Sequence, residues 1–338
     1  MPTRLIVRRL GFLVLVLFGL SIITFVLSHV VPSDPARLYA GPRASEDTVR
    51  QIRHQFGLDQ SIPQQYWIYV TNLLHGDFGY SFTTRRPVAD DLHDYLPATV
   101  ELTLAALGVI VCLGVPLGVV SAVYRGTIVD QLSRAISITG VSFPAFWLAL
   151  LVQLLVSKTT QLSWLPLAGR LGDTTAPPAH VTGLYTIDSI LAGNPSLLWQ
   201  SIVHLILPAL VLGYGSLAVV TRMVRASMLE VMAQDYIRTA RAKGLKKRVV
   251  VIRHALRNAL LPATTVLGLQ IGVLLGGAVL VESIFAWPGI GRYATLAAES
   301  LDYNAIMAVT LVAAFIYVLV NLAVDLAYMI LDPRVSYE

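Results

Sequence analysis

Six stretches of this chain, each 22 to 33 residues long, contain no Asp, Glu, Lys or Arg. They lie between Arg9 and Asp34, Glu101 and Arg125, Arg134 and Lys158, Asp188 and Arg222, Arg257 and Glu282, and Asp302 and Asp325. About 20 apolar residues in a helix cross the hydrocarbon core of a bilayer, so each stretch holds one span. The spans are expected near 10–31, 99–123, 135–157, 201–221, 259–281 and 304–330. In the longest gap the opening third, with Gly193, Asn194, Pro195 and Ser196, reads as loop. Only 13% of the residues are charged, against about 25% in soluble domains. The fold class expected is an all-α polytopic membrane protein with six transmembrane helices.

The first stretch also invites a signal-peptide reading, because Arg4, Arg8 and Arg9 precede it. Its apolar run from Leu10 to Leu27 exceeds the roughly 7–15 residues of a signal h-region, and no A-x-A site follows. It is read as a retained anchor. Placing the N-terminus inside puts 16 of the 25 basic residues in the inner segments 1–9, 124–134, 222–258 and 331–338, whereas 14 of the 20 acids fall outside. Basic residues mark the cytoplasmic side, so both termini are expected there. The formal charge of +5 is then a membrane-topology signal, and nucleic acid is excluded as a partner. A single cysteine, Cys112, excludes a disulfide framework and a cysteine-based zinc site.

Two outer segments are longer than a helical hairpin needs. Segment 32–98 holds an expected amphipathic helix around Thr48–Phe56, capped by Asp47 or Ser45, and a second after Pro63. A glycine turn, Gly76-Asp77-Phe78-Gly79, follows. Segment 158–200 carries Pro166, Pro177, Pro178 and Pro195 and is expected to be irregular. The two read either as a docking surface for an outer soluble protein or as a lid over the helices.

The inner segment 222–258 is the most informative. Asp235 is a candidate N-cap, Tyr236–Lys243 a two-turn helix, and Gly244 the residue that leaves it through the left-handed region. Tyr236, Ile237 and Ala240 share one side, with Arg238, Arg241 and Lys243 elsewhere. So short a helix is unstable alone in water and needs something to pack against. Thr239, Ala240 and Ala242 are small enough to admit a partner groove, and the arginines suit bidentate pairing with carboxylates. The same ten basic residues also serve as topology determinants drawn to anionic lipid.

Arg238-Thr239-Ala240-x-x-x-Gly244, followed by His254-Ala255-Leu256-Arg257-Asn258-Ala259-Leu260-Leu261-Pro262, resembles the E-A-A-x-x-x-G coupling motif of bacterial binding-protein-dependent ABC importer permeases. Further stretches carry the resemblance to the dipeptide/oligopeptide type. They are Gly76-Asp77-x-Gly79-x-Ser81, Leu96-Pro97-Ala98-Thr99-Val100-Glu101-Leu102, Glu282-Ser283-Ile284-Phe285-x-Trp287-Pro288-Gly289-Ile290-Gly291-Arg292 and Leu331-Asp332-Pro333-Arg334. The resemblance implies the type I ABC importer transmembrane fold in the bacterial plasma (inner) membrane. It implies an extracytoplasmic part within 1–98, a five-helix core over 99–331 and a cytoplasmic tail over 332–338. It makes Asp235 to Leu245 the coupling helix against a cytoplasmic ATPase, including Lys243. Two ATPase subunits carrying ATP and Mg, a second homologous permease and an extracytoplasmic substrate-binding protein are the implied partners. Arg238 and Thr239 stand where the motif has Glu and Ala.

No G-x-x-x-x-G-K-[ST] occurs, so no cofactor is expected on this chain and nucleotide binding falls to partners. Glu282, Trp287, Pro288 and Gly289 are candidates for an outer gate. Ser142, Gln153, Gln270 and Asn321 are candidates to line a path, and helix packing explains them equally. Gly114 and Gly118, and Gly268, Gly272 and Gly276, carry the four-residue spacing that lets helix backbones approach. Asp325 and the interfacial His29 and His204 are read as structural. A membrane hydrolase needs a nucleophile–base or metal constellation, and a lone secondary transporter needs paired ionisable groups at membrane depth. Neither pattern is present, and transport driven by partner ATPases is the expected function, with di- or oligopeptides ahead of nickel complexes or glutathione as cargo. In a Cys112→Ser background, an impermeant maleimide added to intact cells with a permeabilised outer membrane should label Ser61→Cys and Thr174→Cys but spare Thr239→Cys. Labelling of Thr239→Cys from outside inverts the topology.

Overall fold

The computed structural model describes residues 2–30, 35–41, 43–55, 57–162 and 164–331. Those residues form helices and loops, with one isolated antiparallel bridge between Tyr80 and Pro87 and no strand among them. In chain order the helices are α1 (Pro2–Val30), α2 (Pro35–Ala40), α3 (Glu46–Gln55), α4 (Ile62–Leu74), α5 (Val88–Val109) and α6 (Val115–Val123). Then come α7 (Ile128–Ser142), α8 (Ala145–Lys158), α9 (Tyr185–Leu191), α10 (Pro195–Met232), α11 (Asp235–Ala242) and α12 (Lys247–Val249). The last are α13 (Arg257–Ile284), α14 (Ile290–Glu299) and α15 (Tyr303–Leu331). Two π-helical segments, Ile110–Gly114 and Val250–Leu256, join α5 to α6 and α12 to α13.

Among the described residues, five continuous helical segments are long and apolar enough to cross a membrane: Val7–Leu27, Val88–Val123, Pro195–Met232, Lys247–Ile284 and Tyr303–Val324. The expected third span, 135–157, is not one straight helix. It is α7 and α8, bent by 112° where they meet, and counting the pair as one span brings the number to six. Proline explains the break. Pro144 has no N–H to continue the helical ladder, and it drives Phe143 into an extended conformation (φ −100°, ψ 127°). Arms of 15 and 14 residues reach only about 21–23 Å each. Neither crosses roughly 30 Å of hydrocarbon alone.

Other boundaries also move. The second span begins at Val88, eleven residues before the charge-free gap suggested, because Asp90, Asp91 and Asp94 are accommodated in its first turns. Helices α10 and α12–α13 run from both sides into segment 222–258, leaving 233–246 as its non-continuous part. Within 158–200, expected to be irregular, α9 forms. In the outer segment Ser45, rather than Asp47, caps α3, its Oγ accepting from Thr48 N at 3.2 Å. Ser61 and Gln64 form a capping box on α4. The side chains of His29 and Asp325 and the tail 332–338 lie outside the described residues.

The chain divides into two compact units, residues 1–96 with 290–318, and 97–289 with 319–338. In the first, Val88, Leu92, Ile290, Tyr293, Ala297, Ala305, Ala308 and Val309 make an apolar core. Around it, buried Asp91 accepts from Tyr293 Oη at 2.8 Å and Arg86 Nε at 2.7 Å, and Asp302 accepts from Ser81 Oγ at 2.6 Å. Phe25 of α1 packs against Tyr66 and Tyr69 of α4.

The second unit is organised around α10, whose buried face runs from Leu197 to Met228 and packs against α6, α7, α8, α9 and α13. The small residues act here. A Cβ at Gly118 would lie 2.8 Å from Thr221 O, and one at Gly114 would lie 3.3 Å from Leu217 O. A Cβ at Gly268 would collide with Val324. Gly276 faces open space within this chain, so among the described residues it packs against no helix of its own subunit. Gly272 is half-buried.

One ion pair locks the same unit. Arg225 of α10 donates to both oxygens of Asp130, from Nε at 2.8 Å and Nη2 at 3.0 Å. Ser121 Oγ and Gly126 N complete the shell of that buried carboxylate at 2.6 and 3.0 Å. Asp130→Ala leaves the part-buried Arg225 guanidinium without its partner and should cost about 2–3 kcal/mol of folding free energy, below the range for a fully buried charge. Removing both, as Asp130→Asn with Arg225→Met, should cost less than either single change, measured by steric-trap unfolding in micelles.

Candidate functional site

The short helix α11 begins one residue earlier than the capping pattern suggested. Gln234 holds the cap position in an extended conformation (φ −70°, ψ 151°), and Ile237 N and Arg238 N donate to its carbonyl. Asp235 is therefore the first helical residue, not the cap. Its carboxylate stays favourably placed at the positive end of the helix and lies 3.4 Å from Arg238. The C-terminal end forms as the sequence indicates. Gly244 takes φ +75°, Gly244 N donates to Arg241 O, and Leu245 N donates to Ala240 O, the paired bonds of a Schellman motif. A side chain at this φ is strained, and glycine alone adopts it freely.

The faces of α11 sort differently from the expectation. Ile237 and Ala240 are buried in the core of their own unit. Tyr236, grouped with them from the sequence, is exposed, and its hydroxyl accepts from Asn258 Nδ2 at 2.8 Å. Ala240 is thus not available to a partner groove, because it fills an internal one. Arg238, Thr239, Arg241, Ala242, Lys243 and Leu245 form the outward surface. That arrangement holds a helix of eight residues in place by one apolar edge while presenting the rest.

The residues read as an outer gate are brought together, but they are buried. Glu282 and Trp287 are at most 1% exposed. Thr99 Oγ1 donates to Glu282 Oε1 at 2.6 Å, and Trp287 Nε1 donates to Ala98 O at 2.8 Å. Gly289 faces the Glu282 carboxylate so closely that any Cβ would collide with it. Ala286 between them sits in the left-handed region at φ +47°. The geometry is a latch that ties the end of α13 to the start of the α5 segment beyond Pro97, and no free flap is exposed there.

Next to the latch is a network no sequence pattern announced. Arg170, 6% exposed, pairs with buried Glu101, donates to Gly183 O at 2.9 Å, and stacks on the Tyr185 ring. Glu101 also accepts from Thr186 N and Oγ1. Asp188 in turn accepts from Thr182 N and Oγ1 and from Gly183 N, at 2.7 to 2.9 Å. Burial alone would raise the Asp188 carboxyl, but these hydrogen bonds hold it below the ordinary carboxylate range. The only advance signal was two acids and an arginine in otherwise apolar or Pro-rich surroundings.

Two of the candidate path residues bond to main-chain carbonyls, and the other two are half-buried. Ser142 Oγ donates to Ile138 O of its own helix. Gln153 is a staple, its Nε2 donating to Leu167 O at 2.8 Å and Ile284 O at 3.1 Å. Gln270 and Asn321 are half-buried.

Residues 114–337 match the family described as binding-protein-dependent transport system inner membrane component, and residues 2–103 match that system's N-terminal membrane component. The chain belongs to this family. It is a multi-pass permease subunit of the inner membrane, not an enzyme. A probable D,D-dipeptide transport permease of Escherichia coli is 49% identical over 97% of the chain and 96% of that relative. The dipeptide transport permease of the same organism is 42% identical over 98% of both. A glutathione transport permease of E. coli is 40% identical over 98% of the chain and 99% of that relative.

Because the folded-state acidity of Asp188 exceeds its unfolded value, its contribution to the permease's stability is complete above the unfolded pKa, near 3.9. That contribution fades as pH falls through the lower, folded value. Asp188→Asn should therefore destabilise the permease at pH 7, and the gap to wild type should narrow below about pH 4. Thermal unfolding in detergent across pH 3–7 reads this directly, and a pH-independent gap contradicts the assignment.

Proposed function

We propose that this permease forms half of the translocation path of an ATP-driven importer of di- or oligopeptides. A second, homologous permease would supply the other half, two cytoplasmic ATPases carrying ATP and Mg the motor, and a binding protein docked on 32–98 and 158–200 the cargo. Glutathione is the second reading, favoured by the likeness to a glutathione permease over almost the full chain. The observation that carries the coupling role is α11: a helix anchored by Ile237 and Ala240 whose cationic and small side chains face outward.

In this reading, closure of the ATPases pushes on the outward face of α11. The buried edge passes that displacement to the core it belongs to, which includes residues of α10 and of the π-helical segment before α13. The coupling contact lies on Arg238, Thr239, Arg241 and Ala242 rather than on Ala240. The latch at Glu282, Trp287, Pro288 and Gly289 then acts as a rigid end to α13 near the outer face.

Charge reversal of the exposed arginines tests this without touching the core. Arg238→Glu combined with Arg241→Glu should lower uptake of a labelled dipeptide at least tenfold in proteoliposomes of the full transporter, with normal amounts of permease in the membrane. ATPase subunits should also co-purify less. Wild-type uptake and unchanged co-purification would refute the docking role and leave the basic loop as a topology signal.

A further inference from the structure

We propose that a preformed cavity beside the loop after α8 binds a small organic cation, a primary ammonium carrying an apolar side chain. The cavity is an open cleft of about 650 Å³ walled by Val156, Leu165, Leu167 and Leu171, with Asp173 and His204 as its ionisable members. That volume falls in the range of small-molecule sites, which pair apolar walls with a few placed polar groups.

Three features give the cavity its sign. Asp173 is exposed at the rim and has no hydrogen bond or ion pair among the described residues. No Lys or Arg lines the space. His204 is 8% exposed, and its Nδ1 lies 2.8 Å from Gln200 O. A carbonyl only accepts, so Nδ1 carries the proton, and in the neutral ring Nε2 is left as an acceptor. The cavity also lies against the last turn of α8, the end at which a helix favours positive charge. Ser157 and Thr159 donate their hydroxyl protons to Leu154 O and Leu155 O, so with Asp173 and His204 they offer acceptors or negative charge to the space.

The walls are held rather than loose. Gln153 Nε2 donates to Leu167 O and Ile284 O, and Gly169 N donates to Phe285 O at 2.9 Å. Arg170, one residue before Leu171, is fixed by Glu101. The carbon side chain of the ligand contacts Leu165, Leu167 and Leu171 while its ammonium reaches the Asp173 carboxylate. Under the peptide-import reading, on which the physiological role rests, the amine is the free amino terminus of a short peptide.

The test uses the full chain in lipid nanodiscs with leucinamide as probe and N-acetyl-leucinamide as control, followed by saturation-transfer NMR titration. Leucinamide should bind, with at least tenfold loss on acetylation and on Asp173→Asn, recovery in Asp173→Glu, and loss in Leu171→Trp, which fills the space. Equal binding of the acetylated probe, or indifference to Asp173→Asn, overturns the proposal. So does a result in which Asp173→Asn weakens only capture of the binding protein. Because leucinamide binding is read without transport, a failure of peptide uptake with binding intact would overturn the peptide reading and leave this site standing.

Discussion

The second unit depends on how closely other helices approach α10. Between helices in a bilayer, apolar burial gives no driving force, so association rests on packing contacts and hydrogen bonds. Four glycines permit that packing. Gly114 and Gly118 bring α6 and the π-helical turn before it onto α10. Gly140 of α7 faces Ala218 and Tyr214, and Gly213 of α10 itself faces Ala106 O. Where the backbones come this near, side chains complete the contact: Thr221 Oγ1 donates to Gly114 O, a carbonyl of the wide turn, at 3.1 Å. The Arg225–Asp130 pair closes the same face toward the C-terminal end of α10.

Held this way, the core can support exposed pieces that are unstable alone. The eight-residue α11 is one, and the loop carrying Arg170 is another. Both use the same device, a buried edge inserted into the frame with the remaining surface outward. Ile237 and Ala240 serve α11, and Leu165, Arg170 and the Gln153 staple serve the loop. The fold thus separates rigidity from recognition by position along each short element.

Much of the architecture was legible from charge-free lengths, because exclusion of charge from hydrocarbon is strong and counts residues directly. The last span, expected at 304–330, lies within the unbroken helix Tyr303–Leu331 and shows how well that works when nothing interrupts the helix. It failed at Phe143-Pro144, where composition stays apolar across a sharp bend. It also failed at Val88, where charges sit within a continuing helix because Asp91 is buried with Arg86 and Tyr293. The candidate site divided likewise. Gly244 was readable because a helix stop has a local cause, whereas the burial of Ala240, Glu282 and Trp287 depends on residues far away in sequence. Thr99 and Ala98 complete the latch from 183 and 189 residues away.

Helix α10 has 38 residues, about 57 Å at 1.5 Å per residue, whereas the oil it crosses is roughly 30 Å deep. Almost half of this mast therefore stands in headgroups or water, even with a tilt. Its C-terminal extension brings Met228, fully buried, into the core that α11 joins, and its N-terminal extension starts at an Asn194 cap beside α9. A rod overshooting the bilayer on this scale, with Pro208 as its one internal proline, places the contacts made at both membrane faces on a single continuous element.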